Sequence, residues 1–158
     1  MDERIRQAVL ALIAEARPAT LLGIGPQPRD FYAPCLARDP RCDLTLLAAE
    51  DAPARLPQLG RFDFAFVAGA LEHLPKTDAA ALIARLRDLH ARRLALAVGF
   101  PAARAWSHEE LLAFGLTRVA ASGDAALYVF DIAHYKQTPD WLNSDNWAHP
   151  ELLDKYRW

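Results

Sequence analysis

Residues 62–101, FDFAFVAGALEHLPKTDAAALIARLRDLHARRLALAVGFP, constrain the fold more than any other part of the chain. Residues 62–68 are apolar apart from Asp63, and residues 93–100 form a second run, apolar after Arg93. Both are of strand length, and continuous apolar content marks strands buried on both faces. Between them Leu82, Ile83, Leu86 and Leu89 recur at helical spacing, and Thr77 or Asp78 can cap that helix. Two strands joined through a helix pair in parallel with a right-handed crossover, so this segment is half of an open α/β sheet.

The flanking sequence extends the pattern. Ile5, Val9, Leu12 and Ile13 form one apolar stripe on a helix ending near Arg17-Pro18. Residues 19–24 read as a short strand closed by Gly25-Pro26-Gln27-Pro28, residues 30–37 as a helix and residues 43–48 as the next strand. Residues 50–60 contain Pro53, Pro57 and Gly60, leaving room for a helical turn and no strand. Ser107-His108-Glu109-Glu110 fits a capping box, with the helix ending at Gly115. Residues 116–121 and 125–132 form a hairpin across Ser122-Gly123-Asp124. An α/β domain over residues 1–132 is therefore expected. Residues 133–158, with Trp141, Trp147, Tyr156 and Trp158 and a short helix at 150–156, are expected to strap against it.

Bulk properties exclude several classes. A chain of 158 residues makes one domain, and 53% hydrophobic with 24% charged residues is a globular composition. No apolar run approaches the ~20 residues of a membrane span, and the charged N-terminus lacks the pattern of a signal peptide, so a cytoplasmic protein is expected. Cys35 and Cys42 then read as reduced thiols. A net charge of −2 argues against a nucleic-acid surface, and Arg85, Arg87, Arg92 and Arg93 read as the solvated face of one helix. The histidines at 73, 90, 108, 134 and 149 never pair at i, i+4, so no metal site is expected. Neither a Gly-x-Ser-x-Gly elbow nor a P-loop is present.

Two loops carry a resemblance. Gly69-Ala70-Leu71-Glu72-His73-Leu74-Pro75 is similar to the loop after the fourth strand of class I S-adenosylmethionine-dependent methyltransferases, with Glu72-His73-Leu74 matching a recurring triplet of that superfamily. Upstream, Gly23-Ile24-Gly25-Pro26-Gln27-Pro28-Arg29 stands at that superfamily's first loop, which runs acidic residue, apolar, Gly, any, Gly, any, Gly. Gly25 keeps the first glycine. Gly23, Gln27 and Arg29 replace the acidic residue and the other two glycines. The chain thus resembles a small, degenerate member with the third strand missing.

The resemblance implies a three-layer Rossmann-like sheet, mostly parallel with an antiparallel C-terminal hairpin, binding S-adenosylmethionine at its switch point. By this likeness Gly23, Gly25, Gln27, Gly69 and Ala70 contact the cofactor, and Glu50 or Asp51 holds the ribose hydroxyls. His73 and Trp106 face the substrate, and His73 is the candidate catalytic residue. For His73 a plain hydrogen-bonding role is the alternative, and for Trp106 the alternative is a place covering the helix that starts at Ser107. Two functions follow from the same residues: methyl transfer to an unknown acceptor, or a scaffold that has lost the cofactor and binds a protein partner.

Overall fold

The computed structural model describes residues 1–135. The expected strap, with its tryptophans and the helix at 150–156, lies outside the described residues. Helix α1 (Glu3–Ala16) opens on Asp2, whose carboxylate accepts from the backbone amides of Arg4 and Ile5. Then come β1 (Thr20–Ile24), a 3-10 turn at Arg29–Tyr32, α2 (Ala33–Arg38) and β2 (Asp43–Leu47). The segment after β2 holds only the turns α3 (Ala52–Arg55) and Leu56–Gln58, so the place of a third classical strand is taken by a short helical link, as its prolines foretell.

Strand β3 (Phe62–Ala68) follows, then a single helical turn α4 (Ala70–His73) and α5 (Lys76–Arg85), which widens into a π turn at Leu86–His90. Neither Thr77 nor Asp78 caps α5. The helix starts two or three residues earlier, after Pro75, whose fixed φ suits a helix entrance and whose side chain offers no cap. Strand β4 (Ala91–Gly99) leads to α6 (His108–Ala113), where the Ser107–Glu110 capping box is complete. The hairpin of β5 (Thr117–Ser122) and β6 (Ala125–Asp131) turns at Gly123, with φ +54°, and the described chain ends in α7 (Ile132–Tyr135).

The sheet order is β2-β1-β3-β4-β6-β5, with β2, β1, β3 and β4 parallel and β6 antiparallel to both β4 and β5. Alternation along the strands divides the core in two. Leu21, Phe64, Phe66, Ala95 and Leu127 pack under α1 and α2, while Leu22, Ile24, Ala65, Val67, Leu94 and Leu96 pack under α3, α5 and α6. Asp63, the one polar residue in β3, ties that strand to β1: its Oδ2 accepts from the amides of Ala19 and Thr20 at 3.0 and 3.1 Å, and its own amide donates to Thr20 Oγ1.

The arginines expected on one helix face are dispersed. Arg85 ends α5, whereas Arg87 sits in the π turn and donates to Asp88 and to the carbonyl of Phe114. Arg92 and Arg93 belong to β4 and pair with Asp63, and with Glu15 and Asp131, respectively. The strand begins two residues sooner than the apolar run suggests, because Ala91 pairs with Phe62. Cys35 is buried on α2 and Cys42 stands at the entrance of β2, both free, with burial raising both thiol pKa values.

Candidate functional site

The order of strands reverses beside β1: the chain runs outward from β1 to β2, then returns to place β3 on the other side. Ile24 pairs with both Leu47 and Val67, so the loops after all three strands leave from one rim. Open α/β sheets bind ligands at such a switch point. The two loops singled out from the sequence therefore meet in space, although some forty residues separate them.

They meet in direct contact. Gly25, at φ +129°, donates its amide to the carbonyl of Leu47 at 2.9 Å, and a Cβ there would lie 2.1 Å from the carbonyl oxygen of Ala68. Its lack of a side chain serves the approach of β3 rather than the approach of a ligand. Gly69, at φ +77°, has the side chain of Pro26 3.3 Å and that of His73 3.5 Å from where its Cβ would stand. Pro26 and His73 thus form a partition across the rim, with a hollow on each side.

The outer hollow, about 540 Å³, is lined by Gly25, Pro26, Ala48, Ala49, Glu50 and His73. The inner hollow, about 310 Å³, lies above the ends of β3 and β4 and is closed on one side by Met1, Asp2 and Ile5. Pro26, Gln27, Gly69, Glu72 and His73 line it on the other side, with Ala68, Ala97, Val98 and Gly99 as its floor. Both volumes fall in the range of small-molecule sites. In the inner hollow Glu72 Oε1 accepts from the Gly99 amide at 2.8 Å, which clamps α4 to the end of β4. Glu72 Oε2 and Gln27 Oε1 are buried with no hydrogen-bond partner among the described residues. His73 is exposed.

Of the residues expected at the site, Gly25, Gln27, Glu50, Gly69 and His73 are brought together. Gly23, Asp51, Ala70 and Trp106 line neither hollow. Gly23 is buried in β1 beneath Tyr32, whose hydroxyl oxygen lies 2.4 Å from the position of a Gly23 Cβ. Ala70 is the buried first residue of α4, and Asp51 precedes α3 without a side-chain capping bond. Trp106 takes the second of its two expected places: it is 6% exposed, packs on Phe114 at 6.0 Å between ring centroids, and lies under the Lys76 ammonium at 5.4 Å. It is in the core because residues 100–106 fold back over the sheet, with Ala103 also buried.

Pro26 and Glu72 are the site residues that sequence reasoning passed over. Glu72 stood within the matched triplet, where the histidine drew the attention. Pro26 read only as a stiff turn, and its position against Gly69 depends on the pairing of β1 with β3. Among the described residues no group of three or more His, Cys, Asp or Glu is placed to hold a metal ion, and no helix is long and apolar enough to cross a membrane.

A parallel sheet with an antiparallel C-terminal hairpin, inserted in this order and hollowed at its switch point, defines a class I methyltransferase-like fold. Solved structures agree. The methyltransferase domain of bacterial CtHen1 superposes with a TM-score of 0.55 at 10% identity, covering 82% of this chain and 98% of that one. The N-methyltransferase NodS from Bradyrhizobium japonicum WM9, in complex with S-adenosylhomocysteine, gives 0.54 at 20% identity, covering 81% and 86%. Magnesium protoporphyrin IX methyltransferase ChlM from Synechocystis PCC 6803, with bound S-adenosylhomocysteine, gives 0.52 at 15%, covering 80% and 81%. At these identities the likeness concerns the fold. The chain belongs to DUF6231, a family of unknown function, whose model matches residues 3–158. A comparison with curated proteins returns no match.

Proposed function

We propose that this protein binds S-adenosylmethionine in the outer hollow and transfers its methyl group to a small acceptor. One observation carries the reading: Glu50, past the end of β2, faces the same hollow as Gly25 and His73, at the one rim where the fold reverses direction. A carboxylate there accepts hydrogen bonds from ribose hydroxyls, and Ala48 and Ala49 offer apolar surface to a purine. When bound, the cofactor supplies an activated methyl carbon. The protein's part is then to hold two reactants in line and keep water out, which needs no dedicated nucleophile. His73 borders both hollows and is the side chain best placed to touch both ligands.

A second reading has its own observation. Pro26 against Gly69 divides the crevice at the switch point, which favours a scaffold that binds a protein partner and no cofactor. Melting of the full chain with S-adenosylhomocysteine separates the two. At a hundredfold excess over Kd the ligand should stabilise by about 2.7 kcal/mol, which raises the melting point by roughly 5–10 °C for a chain of this size. Glu50→Ala should weaken the affinity about tenfold, the loss of one or two hydrogen bonds from a charged acceptor. An unchanged melting point at millimolar ligand supports the scaffold instead.

A further inference from the structure

The two outer strands of the sheet, β2 and β5, are protected unequally. Strand β5 carries a register irregularity between Arg118 and Ala120, which disrupts its free edge, and Arg118 adds a charge. Strand β2 runs in unbroken register with β1, holds no proline, lysine or arginine, and among the described residues pairs with β1 alone. The phase of its backbone is fixed. The Asp43 amide donates to the Ala19 carbonyl, and the Leu47 carbonyl accepts from the Gly25 amide. Alternate residues of a parallel ladder turn both backbone groups to the same neighbour, so Asp43, Thr45 and Leu47 serve β1 while Leu44 and Leu46 turn theirs to the open edge. The side chains of these two leucines share the face covered by α1 and α2, with Leu44 half-buried and Leu46 38% exposed.

A second copy of the same strand fits this edge. Turned antiparallel about Thr45, it sets Leu44 of each copy opposite Leu46 of the other. All four are outward residues, so each pair can exchange both of its N–H···O bonds. A shift to the next register that keeps outward residues opposed leaves one such pair within the strand instead of two. The leucines of each pair then cover one another on their common face. Charge agrees with this direction. Arg38 and Arg41 lead into β2, and Glu50 and Asp51 follow it, all four exposed, so reversal brings the arginines of each copy toward the carboxylates of the other. Asp39 is engaged within its own loop, by the Arg41 amide and guanidinium, and Asp43 falls opposite Leu47, so no like charges are directly opposed.

We propose that the β2 edge is the interface of a two-fold dimer, in which two chains share one continuous sheet through antiparallel β2 strands. Analytical ultracentrifugation of the full chain should show the mass rising from 17.6 kDa toward twice that value between micromolar and millimolar concentration. Over the same range amide exchange should slow at Leu44 and Leu46 and stay constant at Thr45, which β1 already protects. Leu44→Pro should keep the fold and stay monomeric, because proline removes an amide that β1 does not use. Should that variant fail to fold, Leu46→Lys should abolish the dimer in its place. Thr45→Cys should give a disulfide-linked dimer on mild oxidation, since the two-fold sets that residue opposite itself. The wild type should not, because the two copies of Cys42 would stand roughly 20 Å apart. A monomer at millimolar concentration, a dimer that survives the Leu44 and Leu46 substitutions, or Leu44 and Leu46 amides protected equally at every concentration would overturn the proposal. Adenosyl binding bears on none of these results, since neither leucine lines either hollow.

Discussion

Gly25→Ala should cost about 4 kcal/mol or more and leave little folded protein at 37 °C, with or without ligand. The methyl group would stand 2.1 Å from the Ala68 carbonyl oxygen and 3.0 Å from its carbon, on a residue whose φ of +129° already disfavours any L side chain. The opposing group is backbone, at the last residue of β3 and paired with Ala97 of β4, so it has no rotamer to retreat into. Relief would require β1 and β3 to part at their C-terminal ends. Urea denaturation of wild type and variant gives the number directly. A variant of near wild-type stability would show that the two turns do not touch as described. Because the effect falls on the fold, a lost ligand in any Gly25 variant reports on stability first.

The second large effect concerns Gly23, which stands where the resembling superfamily has an acidic residue. Restoring that residue should harm this protein. Gly23→Asp would drive a carboxylate into a buried site whose space is filled by the Tyr32 hydroxyl and Leu46, at 2.4 and 2.7 Å from the first added carbon. An uncompensated buried charge together with such an overlap should cost more than about 4 kcal/mol. Tyr32 is itself locked: it is 1% exposed and packed edge-on against Phe31, which stacks on Phe66 at 5.6 Å. Burial also pushes its phenol pKa up, so it stays neutral. A cycle with the milder pair, Gly23→Ala and Tyr32→Phe, should show coupling of about 1 kcal/mol or more, the hydroxyl being the nearest atom to the added methyl. Additive losses would contradict this contact.

The fold was legible because β1, β3, β4 and β6 carry largely apolar runs and the breaks carry specific residues: Gly25 after β1, Pro53 and Pro57 in the short link, Gly123 in the hairpin. Local chemistry of that kind survives translation into structure. The site was legible only as a neighbourhood. That Gly25 and Gly69 share a rim follows from a parallel crossover, but which atoms face the hollows depends on packing across strands. Gly23 reads as a cofactor contact until Tyr32 is seen above it. Trp106 reads as a candidate wall until residues 100–106 are seen to fold inward. Thr77 and Asp78 have the right chemistry for a cap and miss the role by two or three positions, since Pro75 sets where α5 begins. The four arginines look like one face in a linear reading, yet a strand boundary at Ala91 divides them. Glu72 shows the same principle from the other side: its value lies in a bond to Gly99, twenty-seven residues away, which no local pattern displays.

The account stands on the outer hollow being an adenosyl site. Titration of isotope-labelled full-length protein with S-adenosylhomocysteine, followed at each backbone amide, addresses this most directly. Saturable shifts concentrated at Gly25, Ala49, Glu50, Gly69 and His73, and strongly reduced in Glu50→Ala, are the predicted result. No saturable shift at millimolar ligand, or shifts gathered on a different face of the sheet, would contradict it.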